Sequence, residues 1–449
     1  MNKTNRTTLC GAGVVLCLLV GPRPLLLAQQ TSTPPPGRSG DARRLTLSDA
    51  IALTMQNNRE VRLAAAAVSR AEAERQEIRS QFRPQIFVGT GLAGTRGFPL
   101  SIEGSAPAIF QVASSQSLFN ASLRNSERQA GKMRDASERS LEQTLDDTVA
   151  ATVVTYFDLD RARRSLESVR GRNENFLAVE QIVEERVRAG LDPPLETTRA
   201  RLNTARSRSE QVALETQATV LEIRLRGFTG IPQTDAIVTA PAEIPPPGAD
   251  ETVDRLISLA LERSPGLQAL QEEVRAKQFH VRSEEATRWP RINLVGQYGL
   301  FSNINNFSDY FRKFARHNAT LGVSVMVPIY DRERRAARMS KAEAELLEAT
   351  YRFEQGQDNI AQRVRELWAE AQQQGAAREV ARLELEFARR TVEAALARFE
   401  EGRANRLAVE QARVEESRAW VNWFQAQYRA EAARIELLRV TGEIRSVFR

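Results

Sequence analysis

Residues 120–190 read NASLRNSERQAGKMRDASERSLEQTLDDTVAATVVTYFDLDRARRSLESVRGRNENFLAVEQIVEERVRAG, a stretch without proline. Apolar residues recur through it at spacings of three, four and seven: Leu141, Leu145, Val149, Val153 and Phe157, then Leu166, Val169, Phe176, Val179, Val183 and Val187. That period predicts one coiled-coil-like helix over about 120–188. At 1.5 Å per residue it would run for roughly 100 Å, several times the length of an ordinary globular helix. Such a helix cannot be enclosed by a small core of its own and requires partners of equal length.

The same chain supplies them. Gly190 and Pro193-Pro194 make a tight reversal, with proline at the first turn of a return helix reaching about Phe228. On that helix Leu195, Leu202, Ser209, Thr216 and Ile223 fall seven apart. Ahead of the long helix, Ser48 or Asp49 can cap a helix carrying Ile51, Leu53, Val61 and Val68, and Arg83-Pro84 stops it. Two short alternating segments follow, PQIFVGTGLAG and AIFQVASSQSLF, around a Gly/Pro loop.

The pattern then starts again. A shift of 206 positions carries Ile51 onto Ile257, Leu53 onto Leu259, Pro84 onto Pro290 and Ile86 onto Ile292. Leu321, Val323, Val325 and Val327 alternate with Thr320, Gly322 and Ser324, and a second long helix occupies about 332–401. Its reversal at Gly402 matches Gly190 at a shift of 212. Two tandem helix–strand–strand–helix–helix copies are expected, at 45–240 and 251–449, joined by a Pro-rich linker at 241–250.

The start of the chain reads as an export signal over 1–28: Lys3 and Arg6, an apolar run Leu9 to Val20, then Leu26-Leu27-Ala28 before a cleavage point. The apolar run is too short to span a bilayer as a helix. Residues 29–44 read as a flexible Pro-rich tether. Both cysteines, Cys10 and Cys17, lie inside the signal, so the mature chain would have no thiol or disulfide chemistry. Removing Lys3, Arg6 and Arg23 from the +6 total leaves +3, with both signs interleaved along the helices, which gives no argument for nucleic acid.

Four short strands per chain cannot close a barrel, and lipid offers no partner for an open sheet edge. Three chains would supply twelve strands and a wide barrel, two would supply eight, and the matched long helices would continue the ring as a tube. His280 and His317 sit on different predicted elements without ligand-spaced partners, and no phosphate loop, nucleophile elbow or zinc-protease motif is present. No catalytic residue, cofactor or metal is expected. The aromatics of NINNFSDYFRKFARH (Phe307, Tyr310, Phe311, Phe314) suit a membrane-interface belt or a cap on the barrel mouth, while Trp420 and Trp423 suit helix packing.

With these features assembled, residues 45–449 resemble the TolC-like outer-membrane efflux family. The resemblance rests on the paired openings LTLSDAIALTMQNN and VDRLISLALERSP, the strand starts RPQI and WPRI, and the reversals RVRAGLDPPLETTRARL and RFEEGRANRLAVEQARV. It implies a mixed α+β membrane protein, a homotrimer with a twelve-stranded outer-membrane barrel in lipid and a periplasmic helical tunnel. That tunnel would dock through a periplasmic adaptor onto an inner-membrane pump and serve as a passive exit duct. Gating and docking would fall to Arg186, Gly190, Asp192 and Glu196 at the first reversal and Arg398, Glu401, Gly402, Arg403 and Arg406 at the second. The family's acidic ring positions are here Ala408 and Gln411, so a salt-bridged closed tip replaces cation-selective carboxylate rings as the expectation. The competing reading of these charges is a solvated loop or adaptor contact, and that of the chain a periplasmic coiled-coil scaffold without a barrel.

Overall fold

Asn120 opens the longest continuous run of the first half by accepting a hydrogen bond from the Leu123 amide at 3.0 Å, which satisfies one of the free amides of a helix start. In the computed structural model the described residues are 43–91, 108–232, 235, 237–240, 252–301 and 317–448. The signal segment, residues 29–42 of the tether, the 241–250 linker, the interstrand loop GTRGFPLSIEGSAP and the four loop aromatics lie outside them.

Strand β1 (Arg43–Leu45) is followed by α1 (Leu47–Asn57), α2 (Arg59–Ser80), β2 (Gln85–Gly91), β3 (Ala108–Phe119), α3 (Ala121–Arg188), α4 (Pro194–Thr229) and β4 (Ile237–Thr239). The order then recurs as α5 (Val253–Arg263), α6 (Pro265–Glu285), β5 (Arg291–Phe301), β6 (His317–Met326), α7 (Arg332–Glu400) and α8 (Arg406–Val440), ending in the short α9 (Ile444–Val447). The two long helices fall where periodicity put them, to within a residue or two.

Three local expectations need correction. Thr46, not Ser48 or Asp49, caps α1, its side chain accepting from the Asp49 amide at 3.1 Å. The helix expected to run unbroken to Arg83 is two helices, because Asn58 leaves the helical region (ψ 134°) and caps α2 through Glu60 and Val61. β1 begins at Arg43, two residues inside the stretch read as tether, and pairs in parallel with β4.

That small pair sits on the main core. Leu45, Ala50, Tyr156, Leu159, Leu221, Leu225 and Ile237 form one cluster, while Ile51, Val149, Val153, Phe157, Ile435 and Ile444 form the next. The fully buried Tyr156 hydroxyl lies 2.8 Å from the Leu45 carbonyl and 2.6 Å from that of Ala240, its proton shared between them. Burial pushes its pKa up to about 12, so it remains a donor. Leu256, Ile257, Ala260 and Val364 make a third cluster joining α5 to α7. Trp420 and Trp423 pack on Leu385, Ala388 and Ala419 between α7 and α8. Apart from Leu45 on β1 and Ile237 on β4, these residues lie on the helices and leave β2, β3, β5 and β6 aside.

Candidate functional site

Two features stand clear of that core: the helix reversals at one end and a four-stranded sheet. At the first reversal the Gly190 amide bonds the Val187 carbonyl (3.0 Å) and the Leu191 amide bonds that of Arg186 (2.8 Å), with Gly190 at φ 74°. At the second, Gly402 bonds Phe399 (3.0 Å) and Arg403 bonds Arg398 (2.7 Å), with Gly402 at φ 72°. Both are glycine-terminated caps in which two late amides return to the last free carbonyls. The return helices start differently. Pro193 and Pro194 lead into α4 with no side-chain cap, whereas Asn405 caps α8 by accepting from the Ala408 amide at 2.9 Å.

The charges nominated at these turns pair within their own reversal. Arg186 holds Asp192 by two bonds, Nε–Oδ2 2.7 Å and Nη2–Oδ1 2.9 Å. This guanidinium holds the Asp192 carboxyl below its ordinary range and is itself raised by it. Glu196 meets Arg199 (2.9 Å), Arg403 meets Glu401 (3.1 Å) and Arg406 meets the buried Glu410 (3.7 Å). Arg398 is exposed, with no carboxylate partner among the described residues. No ion pair or hydrogen bond among those residues links one reversal to the other, so the salt bridges that are present brace each turn singly. Sequence reasoning missed Arg201, which crosses from α4 to Glu184 (2.7 Å) and Glu180 (3.7 Å) on α3. The signal was available in its opposite sign on the facing helix at matched distance from Gly190.

The sheet has the order β2-β3-β5-β6, wholly antiparallel. Cross-strand partners share a face, so register sorts the side chains. One face carries Ile86, Val88, Val112, Ile292, Leu294, Leu321, Val323 and Val325, interrupted by Ser114 and Gln116. The other carries Gln85, Gln111, Ser115, Asn293, Gln297, Thr320 and Ser324, with Phe87, Ala113, Val295 and Met326 among its apolar members. The apolar face is open to its surroundings: Leu321 is 80% exposed, and Ile86 and Val88 are each 67%. Near the loop end of β5 and β6, the Tyr298 hydroxyl and His317 Nδ1 meet at 2.7 Å. His280 lies on α6, 3.9 Å from Glu345. Among the described residues no cluster of metal-binding side chains is present, and no helix is long and apolar enough to cross a membrane.

Helices of this length, bound to a sheet with one outward apolar face, define the fold of the helical-tunnel channels of outer membranes. The Campylobacter jejuni CmeC outer membrane channel superimposes with a TM-score of 0.72 at 18% identity, over 89% of this chain and 86% of that one. The chain belongs to the outer membrane efflux protein family, whose model matches residues 50–231 and again 256–443. It is 25% identical over 319 residues to protein CyaE of Bordetella pertussis, covering 70% of this chain and 65% of that protein. It is 22% identical over 332 residues to the outer membrane efflux protein BepC of Brucella suis, covering 72% and 69%. The chain thus spans somewhat under two thirds of CyaE. Membership of this family locates it in the outer membrane, with its helices on the periplasmic side.

Proposed function

We propose that the chain forms a passive exit duct: three copies close a twelve-stranded barrel, and their helices continue it as a periplasmic tunnel. The observation that carries this reading is the two-faced sheet, apolar on one side and polar on the other, with unpaired edges at β2 and β6. Open edges cannot persist in hydrocarbon, and four strands enclose no lumen. A periplasmic spacer would have no use for a face on which Leu321, Val323 and Val325 stand out from the molecule. The two matches of the family model support two repeats, which we place at 45–240 and 251–449; the export signal at 1–28 rests on the sequence pattern alone.

Cargo would pass from an inner-membrane pump through a periplasmic adaptor, which engages the reversals around Gly190 and Gly402. Arg186, Asp192 and Glu196, with Arg398, Glu401, Arg403 and Arg406, form the gate and docking rim. Work is supplied by the pump, and the duct conducts. Light scattering corrected for detergent, on protein extracted from outer membranes, tests the assembly. A mass of three chains is expected, and a soluble monomer absent from membranes would overturn the duct.

A further inference from the structure

The register of the sheet also gathers charge at one of its ends. Gln85 pairs with Ser115, Phe119 with Ile292 and Arg291 with Met326, so the start of β2, the end of β3, the start of β5 and the end of β6 lie at the same edge. Gln116 reaches the Phe82 carbonyl there at 3.3 Å, and Ser122 and Ser126 both meet Ser283. The four segments entering this edge, 77–84, 120–128, 282–291 and 331–338, carry eleven arginines against six carboxylates. The band therefore carries a net +5, more than the +3 left after the expected signal, and the rest of the chain beyond that signal is slightly acidic.

Pairing in the band differs from pairing elsewhere. Farther along α7, Arg352, Arg363, Arg382 and Arg390 each have a carboxylate about a turn away, although Arg365, Arg378, Arg389 and Arg398 have none among the described residues. In the band, Arg79, Arg83, Arg332, Arg334 and Arg338 are exposed, and none has a carboxylate partner among the described residues. Beside them Trp289 is 51% exposed, with the Arg288 guanidinium 5.8 Å above its ring, and Ile329 and Tyr330 are each 95% exposed. Aromatics of this kind prefer the boundary between hydrocarbon and water, and free guanidinium groups prefer phosphate.

We propose that this strand–helix junction is a binding collar for the phosphate headgroups of anionic glycerophospholipids in the periplasmic leaflet. The assignment rests on the outer-membrane duct reading, which places the strands in lipid and the helices below it. The apolar sheet face meets the acyl chains, Trp289 and Tyr330 sit at their lower, periplasmic boundary, and the unpaired arginines meet the charged layer beneath. Since each arginine near an anionic surface is attracted by about 1 kcal/mol, several per chain would select anionic over zwitterionic lipid.

The test reconstitutes the full-length protein in equal phosphatidylglycerol and phosphatidylcholine, releases it in mild detergent and counts retained lipids by native mass spectrometry. Wild type is expected to retain phosphatidylglycerol over phosphatidylcholine by about fivefold or more, the factor set by one arginine near an anionic surface. R332Q/R334Q/R338Q, which keeps only Arg79 and Arg83 of the five, should lose most of that preference. R332K/R334K/R338K should recover most of the preference, and R363Q/R378Q/R389Q, the same charge loss in the middle of α7, should leave it intact. Parity in wild type, or full preference in the R332Q/R334Q/R338Q protein, overturns the collar while leaving a membrane-inserted trimer, and so the duct, standing. Displacement of the lipid by millimolar inorganic phosphate overturns it too, since the site would then be one for free anions. Failure of wild type to enter either lipid removes collar and duct together.

Discussion

Arg398 holds the place in the second reversal that Arg186 holds in the first, 212 residues earlier, but the two arginines face different partners. Arg186 grips Asp192 through two bonds; at the same offset from Arg398 stands Ala404. The first reversal is therefore tied across its loop by a fork of charge-assisted bonds, and the second has no such fork, only its backbone cap, Asn405 and the exposed Arg403–Glu401 contact.

D192N should loosen the first reversal, and A404D should give Arg398 a carboxylate and tighten the second. In planar bilayers D192N is expected to raise single-channel conductance a few-fold and A404D to lower it. Because Arg186 depresses the Asp192 pKa, the tie is complete above the ordinary aspartate value of 3.8 and is lost as pH falls through the depressed one. Acidification to that range should thus reproduce D192N in wild type and change D192N little.

Among the described residues four glycines adopt positive φ, and their surroundings rank the cost of adding a side chain. Gly190 and Gly402 have open space where a Cβ would go, so G190A and G402A should cost only the left-handed backbone, about 1–2 kcal/mol. At Gly442 the new atom would lie 3.1 Å from the Arg263 carbonyl oxygen, and at Gly230 2.9 Å from Asn57 Cβ. Overpacking adds about 1–3 kcal/mol there. Chemical denaturation should place G230A and G442A below G190A and G402A, and equal losses at all four would contradict the ranking.

Asp146 is 1% exposed on α3, its Oδ1 2.5 Å from Arg445 Nε and its Oδ2 without a hydrogen-bond partner. Burial raises its pKa above 3.8 and the Arg445 contact only partly opposes this. A raised folded pKa means that its contribution is fully present below 3.8 and fades as pH rises through the folded value. Wild type should therefore gain on D146N as pH is lowered from neutral towards 4, followed by the helical signal in urea. R445Q at neutral pH leaves the buried carboxylate uncompensated and should cost about 1–3 kcal/mol, less than a fully enclosed pair because Arg445 is partly open to solvent.

The two faces of the sheet should respond in opposite ways. V323R puts a charge on the apolar face and should destabilise membrane assembly by about 2–4 kcal/mol if it lies near mid-bilayer. S324R, one residue on, faces the polar side and should assemble normally while altering conductance. Heat-modifiable migration of extracted trimers separates these outcomes, and equal loss from both variants would argue against a lumen on the Ser324 side.

Much of this architecture was legible because its signals are local and repeated. Period held over nearly seventy residues identifies α3 and α7, and β3 coincides with AIFQVASSQSLF to the residue. The break at Asn58 was hidden by the alanines after it, which favour helix on either side of a cap. Its counterpart Ser264-Pro265 was the available clue. The β1–β4 pair was out of reach, since three residues pairing with three others almost two hundred positions away leave no periodic trace. At the reversals, the glycines and the charged residues around them could be nominated from spacing. Which carboxylate each arginine takes depends on rotamers and loop path, so Arg201 escaped notice and Arg398 was grouped with residues that do have partners.

In the proposed duct, the contact between Ser168 and Ser417 would act as a fulcrum. Each serine hydroxyl meets the other's carbonyl, at 3.2 and 2.8 Å, and the two hydroxyls meet at 3.0 Å, pinning α3 against α8. Fifteen residues of chain separate Ser417 from Gly402, about 22 Å if measured as helix. A tilt of ~10° about that pin would sweep the tip of the lever through ~4 Å, a displacement set by the length of the arm. Substitutions at two small, distant serines should therefore be felt as changes of aperture.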